Sequence, residues 1–177
     1  MSQLRTNSIV PLDGLPAGAS GGGIIQVVTN HVSTSLSESV GANTDGTTKL
    51  LSVLITPTST SSKILVIYNL NASVSYSFGG TTLRRNTTKI SIGTNTGSRT
   101  PTTTYLEQID QNSAHQMHSC SFIDSPATTS QIDYNVVFSN TNNGTNTFYM
   151  NRTQSDSDSA VLRNRTSSSI IVMEISN

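Results

Sequence analysis

Alternation of apolar and polar residues is strictest over Ile64–Phe78, where every even-numbered residue is apolar and the odd positions drift from Leu65 and Ile67 into asparagine and serine. Successive side chains leave a pleated strand on opposite sides, so this period of two predicts a long β-strand with one buried face. The run could reach roughly 50 Å at about 3.3 Å per residue. We therefore expect a bulge or bend near Asn69–Asn71.

Seven further segments show the same alternation or are apolar on both faces, which suits strands covered on two sides. They are Ile24–Val32, Leu50–Ile55, Leu83–Ile92, Gln116–Ile123, Gln131–Ser139, Asn146–Arg152 and Ser168–Ile175. Tyr105–Ile109 fits either a short helix or a strand. About eight strands without a convincing helix predict an all-β, antiparallel two-sheet β-sandwich, jelly-roll-like, over residues 24–177. A single closed eight-stranded barrel is the alternative.

Residues 1–23 have a different pattern from the rest of the chain. Prolines and glycines, ending in the triplet Gly21–Gly23, interrupt any regular element. Five apolar residues nevertheless give the segment something to bury, namely Leu4, Ile9, Val10, Leu12 and Leu15. We interpret the segment as an extended N-terminal docking arm followed by a glycine hinge, because a merely flexible tail is usually more polar.

Composition narrows the possible partners. Charged residues make up 11% of the 177 residues, the formal net charge is zero, and about four residues in ten are Ser, Thr or Asn. Arg84, Arg85 and Lys89 form the only local basic group, which we interpret as a solvated strand face or a subunit contact. Without a basic excess, binding to nucleic acid or to an anionic membrane is not expected.

Targeting signals and cysteine content give little further information about function. The opening residues lack the basic and continuous apolar regions of a secretory signal, and no segment approaches the length of a membrane span. We therefore expect the protein to be made in a cytoplasm. A single cysteine, Cys120, rules out a disulfide framework within the chain.

The best candidate for a metal-ligand cluster is formed by His115, His118 and Cys120. On a strand His118 and Cys120 share one face while His115 lies on the other, whereas structural zinc usually takes four ligands. Only a threefold axis between copies could gather enough of them. We expect no metal site.

Catalytic motifs are also missing from the sequence. There is no GxSxG elbow, HExxH or Walker loop, and the acids at Asp156 and Asp158 lack the spacing of a calcium loop. Two carboxylate pairs could in principle serve a glycosidase: Glu107 with Asp110, and Asp124 with Asp133. With no tryptophan and 5% aromatic residues, stacking platforms for a sugar-cleaving cleft are few. The expectation is a protein without enzymatic activity or cofactor.

Two long polar loops are candidates for recognition. The threonine-rich stretch Gly93–Thr104 is longer than most connections, and such loops usually have a function. Its candidate recognition residues are Arg99, Thr100, Thr102 and Thr103. Together with the loop Ser139–Asn146, it could bind a glycan through hydroxyl and amide groups, with weak sites multiplied by avidity in an oligomer.

Four segments resemble small β-rich virion structural proteins of marine tailed bacteriophages, cyanophages among them. These segments are RTNSIVPLDGLPAGASGGGIIQVV near the start, TPTSTSSKILV at Thr56–Val66, FIDSPATTS at Phe122–Ser130 and VLRNRTSSSIIVMEIS near the end. The resemblance implies a tail fibre or appendage component in the virion, with a β-sandwich head in a homotrimer. A capsid decoration or head-fibre protein is the alternative.

The resemblance also implies that the N-terminal arm attaches the protein to other virion proteins. The residues that would dock are Leu4, Arg5, Ile9, Val10, Pro11, Leu12, Leu15 and Pro16. No catalytic residue follows from the resemblance. The partners expected are therefore further copies of the chain, other virion proteins and a glycan or receptor of the host surface.

Overall fold

The computed structural model describes residues 23–76, 78–108, 114–158 and 163–176. The docking arm expected from the sequence lies outside these residues, except for Gly23. Within them the chain forms eleven strands and no helix, so none is present that could span a membrane. The strands are β1 (Ile24–Val32), β2 (Leu36–Val40), β3 (Leu51–Ile55), β4 (Lys63–Val74), β5 (Phe78–Arg85), β6 (Thr88–Ile90), β7 (Thr104–Glu107), β8 (Gln116–Asp124), β9 (Ile132–Ser139), β10 (Asn146–Met150) and β11 (Ser168–Ile175).

The strands form two sheets in which every pairing is antiparallel, so the predicted all-β two-sheet sandwich is confirmed. Sheet A consists of β1, β11, β4, β8, β10 and β2, and sheet B of β3, β9, β5, β6 and β7. In sheet A, β4 pairs with β8 along one edge and with β11 and then β10 along the other. In sheet B, β9 lies between β3 and β5, while β6 and β7 pair with opposite ends of β5.

The central strand β4 is the alternating run found in the sequence. Its inward side chains are fully buried: Ile64, Val66, Tyr68, Leu70 and Ala72. The strand ends at Val74, earlier than the alternation does, and Tyr76 is 72% exposed. Each large side chain removed from water in this way contributes about 1.5–3 kcal/mol, so the inner face of β4 is a main source of the folding free energy.

The bulge expected near Asn69–Asn71 is absent, because β4 pairs with β8 in one continuous register from Ile64 to Ala72. The segment is instead where β4 changes partner along its other edge. It pairs with β11 as far as Asn69 and with β10 from Ala72 onward. Asn151 lies fully buried at this junction with φ of 58°. Its backbone N–H donates to Asn71 O (2.9 Å), and its side-chain amide donates to the carbonyls of Val32 (2.8 Å) and Thr34 (3.0 Å). One asparagine therefore satisfies backbone groups that the break in the ladder leaves unpaired.

The core lies between the inner faces of the two sheets. The sequence predicts that Ile132, Tyr134, Val136 and Phe138 share one side of β9, and all four are at most 2% exposed. Phe138 stacks on Phe148 of sheet A with ring centroids 5.0 Å apart. Aromatic contacts of this kind add about 0.5–1.5 kcal/mol beyond their buried area, and here they join the two layers.

Three elements differ from the sequence interpretation. Strand β2 was not expected, since LSESV contains only two apolar residues and its pairing with β10 decides its conformation. Leu83–Ile92 is a hairpin of β5 and β6, because Asn86 adopts φ of 56° at the turn. In the ambiguous segment, Thr104–Glu107 is a strand, and Ile109 lies outside the described residues.

A buried carboxylate closes one edge of the sandwich. Glu174 of β11 accepts hydrogen bonds from Gln26 Nε2 (2.6 Å) and from the backbone N and Oγ1 of Thr58, both 2.7 Å. Burial alone would raise the pKa of Glu174, but the hydrogen bonds from Gln26 and Thr58 outweigh it and lower the pKa to about 2. The ionised form is thereby held between β1, β11 and the loop that follows β3.

Candidate functional site

Both loops that the sequence marks for recognition border one groove of about 580 Å³ at the outer side of sheet B. A third loop, between β2 and β3, and the aromatic residues of β5 and β7 complete it. The groove is lined by Asn43, Phe78, Ser98, Arg99, Thr100, Thr102, Tyr105, Thr141 and Asn143. Segments that are far apart in sequence thus provide amide, hydroxyl, guanidinium and aromatic groups to a single concave surface.

An exposed aromatic pair forms the apolar part of this groove. Phe78 is 38% exposed and Tyr105 is 58% exposed, and their rings stack with centroids 6.5 Å apart at 26°. The two side chains lie on the same face because Gly80 pairs with Tyr105 and Phe78 with Glu107. Exposed large aromatics that are held side by side provide a flat surface on which an apolar ring face can pack.

Gly80 is required for the geometry beneath this pair. A Cβ at this position would lie 2.3 Å from the backbone oxygen of Thr104 and 3.0 Å from the side chain of Thr102. Because backbone cannot move aside as a flexible side chain can, only glycine lets β7 approach β5 so closely. The close approach places Tyr105 and Thr102 next to each other at the groove.

Buried Asn140 fixes the shape of the two loops on the opposite wall. Its side-chain amide donates to the carbonyls of Val40 (2.8 Å), Gly41 (3.0 Å) and Gly144 (2.8 Å), and its backbone N donates to Thr44 O (2.8 Å). The amide of Asn43 then donates to Oδ1 of Asn143 at 3.2 Å. This network orders the polar wall before any ligand arrives, which lowers the entropic cost of binding.

The predicted recognition residues of the Gly93–Thr104 loop divide into two groups. Arg99, Thr100 and Thr102 line the groove. Thr103 does not line it, since its hydroxyl accepts a hydrogen bond from Leu83 N (2.9 Å) and its backbone N donates to Thr81 O (2.8 Å). Thr103 therefore anchors the loop to β5, and its three neighbours present their side chains at the surface.

The groove is suited to binding an uncharged polar ligand with an apolar face. Arg99 is the only charged residue among the described residues that line it, and no carboxylate is among them. The Tyr105 hydroxyl is protonated at neutral pH and can donate a hydrogen bond; partial burial and then the nearby Glu107 carboxylate raise its pKa further above the ordinary value. Stacking surfaces combined with a few fixed polar groups are typical of small-molecule sites.

The basic group noted in the sequence is neutralised by ion pairs. Arg84 and Lys89 contact the two oxygens of Asp45 at 2.5 and 3.0 Å. Arg85 reaches both oxygens of Asp124 at 3.1 and 3.0 Å, and buried Tyr134 donates its hydroxyl to the same carboxylate at 2.7 Å. These pairs join neighbouring elements of the sandwich, so the cations do not form a free basic surface.

The histidine and cysteine cluster does not form a metal site among the described residues, where no group of three such ligands occurs. His118 is 5% exposed and faces the space between the sheets, as does half-buried Cys120, whose Sγ lies 3.4 Å from Ser91 Oγ. Burial lowers the pKa of His118 to about 4, so the imidazole is neutral at pH 7. Side chains that point inward in this way are not placed to meet at an axis between copies.

The other acids considered in the sequence are found in structural contacts. Asp156 pairs with Arg152 at 2.9 Å and with Arg165, and Asp133 pairs with Lys49. Asp158 lines a small polar concavity with Asp156. Asp110, the suggested partner of Glu107, lies outside the described residues.

Asn43, Phe78 and Tyr105 line this groove and were not placed there by the sequence analysis. The low aromatic content argues against a stacking surface, yet two of the chain's nine Phe and Tyr residues are gathered here. Local patterns gave no clear signal, since Tyr105 adjoins apolar Leu106 in TTYLE and Phe78 ends the alternating run. Their proximity follows from the pairing of β5 with β7, which local patterns do not reveal.

Comparison with models of known protein families finds no match, and no curated protein shows significant similarity to the chain. The class of protein is therefore defined by its own geometry: a two-sheet antiparallel β-sandwich with a loop-bordered groove on one side.

Proposed function

We propose that the chain is a structural subunit of a bacteriophage virion, in a tail fibre or appendage, that binds a saccharide of the host surface. The convergence of an exposed aromatic pair with fixed amides and hydroxyls in one groove carries the saccharide assignment. The virion assignment is supported by the resemblance of four segments, spread along the chain, to small virion proteins of marine tailed phages.

A saccharide matches the chemistry of the groove in two ways. The C–H face of a sugar ring packs on the aromatic surface of Phe78 and Tyr105, and sugar hydroxyls exchange hydrogen bonds with Asn43, Asn143 and Thr102. Such neutral contacts are each worth about 1 kcal/mol net, so a single groove binds weakly. Arg99 adds a charge-assisted bond if the sugar is acidic.

Weak single sites suit a subunit that acts in several copies. We propose a homotrimer that is attached to the particle through the N-terminal residues, so that several grooves face the same cell surface. Linked sites raise overall binding by about 10²–10⁴ without any new contact, provided that the geometry allows simultaneous engagement. The neutral surface of the chain then limits non-specific attraction to other charged polymers.

Binding of purified host surface polysaccharide, measured by isothermal titration calorimetry, tests the saccharide proposal. Tyr105→Ala removes half of the stacking surface and is expected to weaken binding about threefold to tenfold, the equivalent of about 0.5–1.5 kcal/mol. Tyr105→Phe keeps the ring and should lose less. Tyr76→Ala is the matched control, because Tyr76 is even more exposed than Tyr105, at 72% against 58%, and does not line the groove.

Adsorption competition separates a recognition role from a purely structural one. Saturating wild-type protein is expected to slow attachment of the phage, and the Tyr105→Ala protein to slow it less. Equal competition by both proteins, or equal saccharide binding by the Tyr105 and Tyr76 variants, would show that the groove is not the saccharide-binding site. A stable monomer by native mass spectrometry would contradict the trimer.

A further inference from the structure

The outward face of sheet A carries apolar side chains that the fold leaves uncovered. Alternation places the odd-numbered residues of β1, β11, β4 and β8 on this side, and the antiparallel registers align them in rows across the sheet. One row consists of Val27, Met173, Leu65 and Ile123, and the next of Thr29, Ile171, Ile67 and Ser121. Val27 is 50% exposed and Ile123 is 55% exposed.

The apolar character is confined to one end of the sheet. Beyond these rows the face becomes polar, with a row of His31, Ser169, Asn69 and Ser119. In the other direction it extends to Ile175 and to Ile24 and Ile25, which are 62% and 44% exposed. This is the end at which Gly23 enters β1, where its backbone carbonyl accepts a hydrogen bond from Ser176 N at 2.9 Å.

The size of this apolar patch helps to identify its occupant. Four strands about 4.8 Å apart and three rows about 6.6 Å apart give roughly 20 Å by 20 Å, or about 400 Å² in projection, with polar Thr29, Ser121 and Lys63 included. The largest apolar patch on a typical soluble monomer covers about 300–600 Å² and is often functional. The patch on sheet A is only about half of the area that each partner contributes to a standard protein–protein interface, about 800 Å². A short peptide segment therefore fits it better than a whole second subunit.

Residues 1–22 precede Gly23, which lies at the border of the patch. The stretch Leu4–Pro16 contains five aliphatic side chains and one acidic group, Asp13. At about 3.3 Å per residue its thirteen residues extend to roughly 43 Å, more than enough to cross a patch of about 20 Å. Between this stretch and β1 lie small residues and the triplet Gly21–Gly23, which allow the chain to reverse direction.

We propose that residues 4–16 pack with their aliphatic side chains on the apolar end of the outer face of sheet A of the same subunit. The tether places the segment at an effective concentration of about millimolar, which favours it over free partners at lower concentration. Attachment to a particle through these residues then requires their displacement from this face. The groove on sheet B plays no part in this packing.

The four methionines make the packing measurable in the full-length protein. Met173 lies in the apolar patch, Met117 lies on the same face at its polar end and is 67% exposed, and Met150 is 1% exposed in the core. Mild peroxide oxidation, followed by mass spectrometry of peptides, reports the exposure of each thioether. Met117 serves as the uncovered reference and Met150 as the reference for an intact fold.

In the wild-type protein we expect Met173 to oxidise at least tenfold more slowly than Met117, at any protein concentration. The double variant Leu12→Asp/Leu15→Asp should raise the Met173 rate at least fivefold and leave Met117 and Met150 unchanged. Asp13→Asn is the matched control in the same segment and should raise the Met173 rate less than twofold.

Three outcomes would overturn the proposal. A Met173 rate that the double variant does not change shows that the segment does not cover the patch. Protection that appears only on raising the protein concentration, and that survives the double variant, assigns the patch to a second copy. Protection that depends on both the segment and the concentration shows exchange of the segment between subunits. Saccharide binding is measured separately, so its failure would not affect this result.

Discussion

The outer faces of the two sheets have the same strand geometry and opposite surface chemistry. On sheet A the outward positions of β11 and β4 include Ile171, Met173, Leu65 and Ile67, and charged groups are scarce. On sheet B the outward positions of β9 and β5 include Asp133, Asn135 and Arg84. Asp133 and Arg84 form ion pairs, and the side-chain amide of Asn135 donates to the backbone carbonyl of Asn86. A sandwich with two such different faces can use one for packing against apolar chain and the other for polar recognition.

Gly80→Val provides the largest expected effect and acts on sheet B alone. The added side chain must displace the backbone of Thr104, so β7 cannot pair with β5 as it does now. We expect a loss of about 3 kcal/mol in the free energy of unfolding by urea, together with loss of saccharide binding. The rate of Met173 oxidation on sheet A should change little, as long as the protein is studied well below its unfolding midpoint.

Gly144→Ala is the control for this variant. It changes a glycine in another loop bordering the groove, at a position where an added Cβ meets nothing within 4 Å. Its stability should stay within about 0.5 kcal/mol of wild type, as for most surface substitutions. Equal stability of the Gly80→Val and Gly144→Ala proteins would contradict the close approach of β7 to β5.

The second-largest expected effect is a loss of stability at acidic pH that originates in sheet A. Burial lowers the pKa of His118, on the inner face of sheet A, to about 4. As the pH falls, this imidazole therefore gains its proton at a higher pH in the unfolded chain than in the folded protein. Stability should therefore decline as pH falls from about 6.5 toward 4, by an amount on the order of 2–3 kcal/mol. His118→Leu should remove this decline, as measured by urea unfolding at several pH values.

His31→Gln serves as the comparison, because His31 lies on the outer side of β1 and is exposed. This variant should keep the wild-type pH profile. An unchanged profile in the His118→Leu protein would mean that protons bind elsewhere during acid destabilisation.

The smallest expected effect concerns the ion pairs of sheet B. Burial alone would raise the pKa of Asp45, but hydrogen bonds from Arg84, Lys89 and Ser139 lower it overall. Its stabilising contribution is thus present above the ordinary carboxyl range and is lost as pH falls through it. Asp45→Asn should cost about 1–2 kcal/mol at neutral pH and low salt, and less in 1 M salt, because salt screens partly exposed charges.

Lys63→Gln on sheet A provides the contrast, since no ion pair of Lys63 is found among the described residues. Its effect on stability should be below about 0.5 kcal/mol. A salt-independent loss in the Asp45→Asn protein would show that hydrogen bonding to Ser139, and not charge pairing, stabilises this region.

Much of the fold could be predicted because alternation is a local property. The inner face of β4 and that of β9 were both assigned from their side-chain pattern, since a pleated strand sends neighbours to opposite sides. Strand ends were less predictable. The alternation continues to Phe78, but β4 ends at Val74, and Phe78 belongs to the next strand, in the other sheet.

The lining of the candidate groove was predicted in part. Loop length and polarity marked two of the loops that border it, because a long polar connection cannot be buried at low cost. Neither the aromatic pair nor the different role of Thr103 could be predicted from the sequence. The side chain of Thr103 faces β5, whereas that of its neighbour Thr102 faces the groove. This difference depends on the pairing of β5 with β7.

The sequence by itself determined that this chain is an antiparallel β-protein with a neutral, hydroxyl-rich surface, because period and composition are properties of neighbouring residues and of their sum. The tertiary structure alone decided where its groove and its apolar patch lie. Strand register aligned the outward residues of β1, β11, β4 and β8 into one apolar patch, and a single glycine let Tyr105 lie beside Phe78. Such contacts depend on which strands pair, and pairing is settled by the burial of the whole core, not by any one segment.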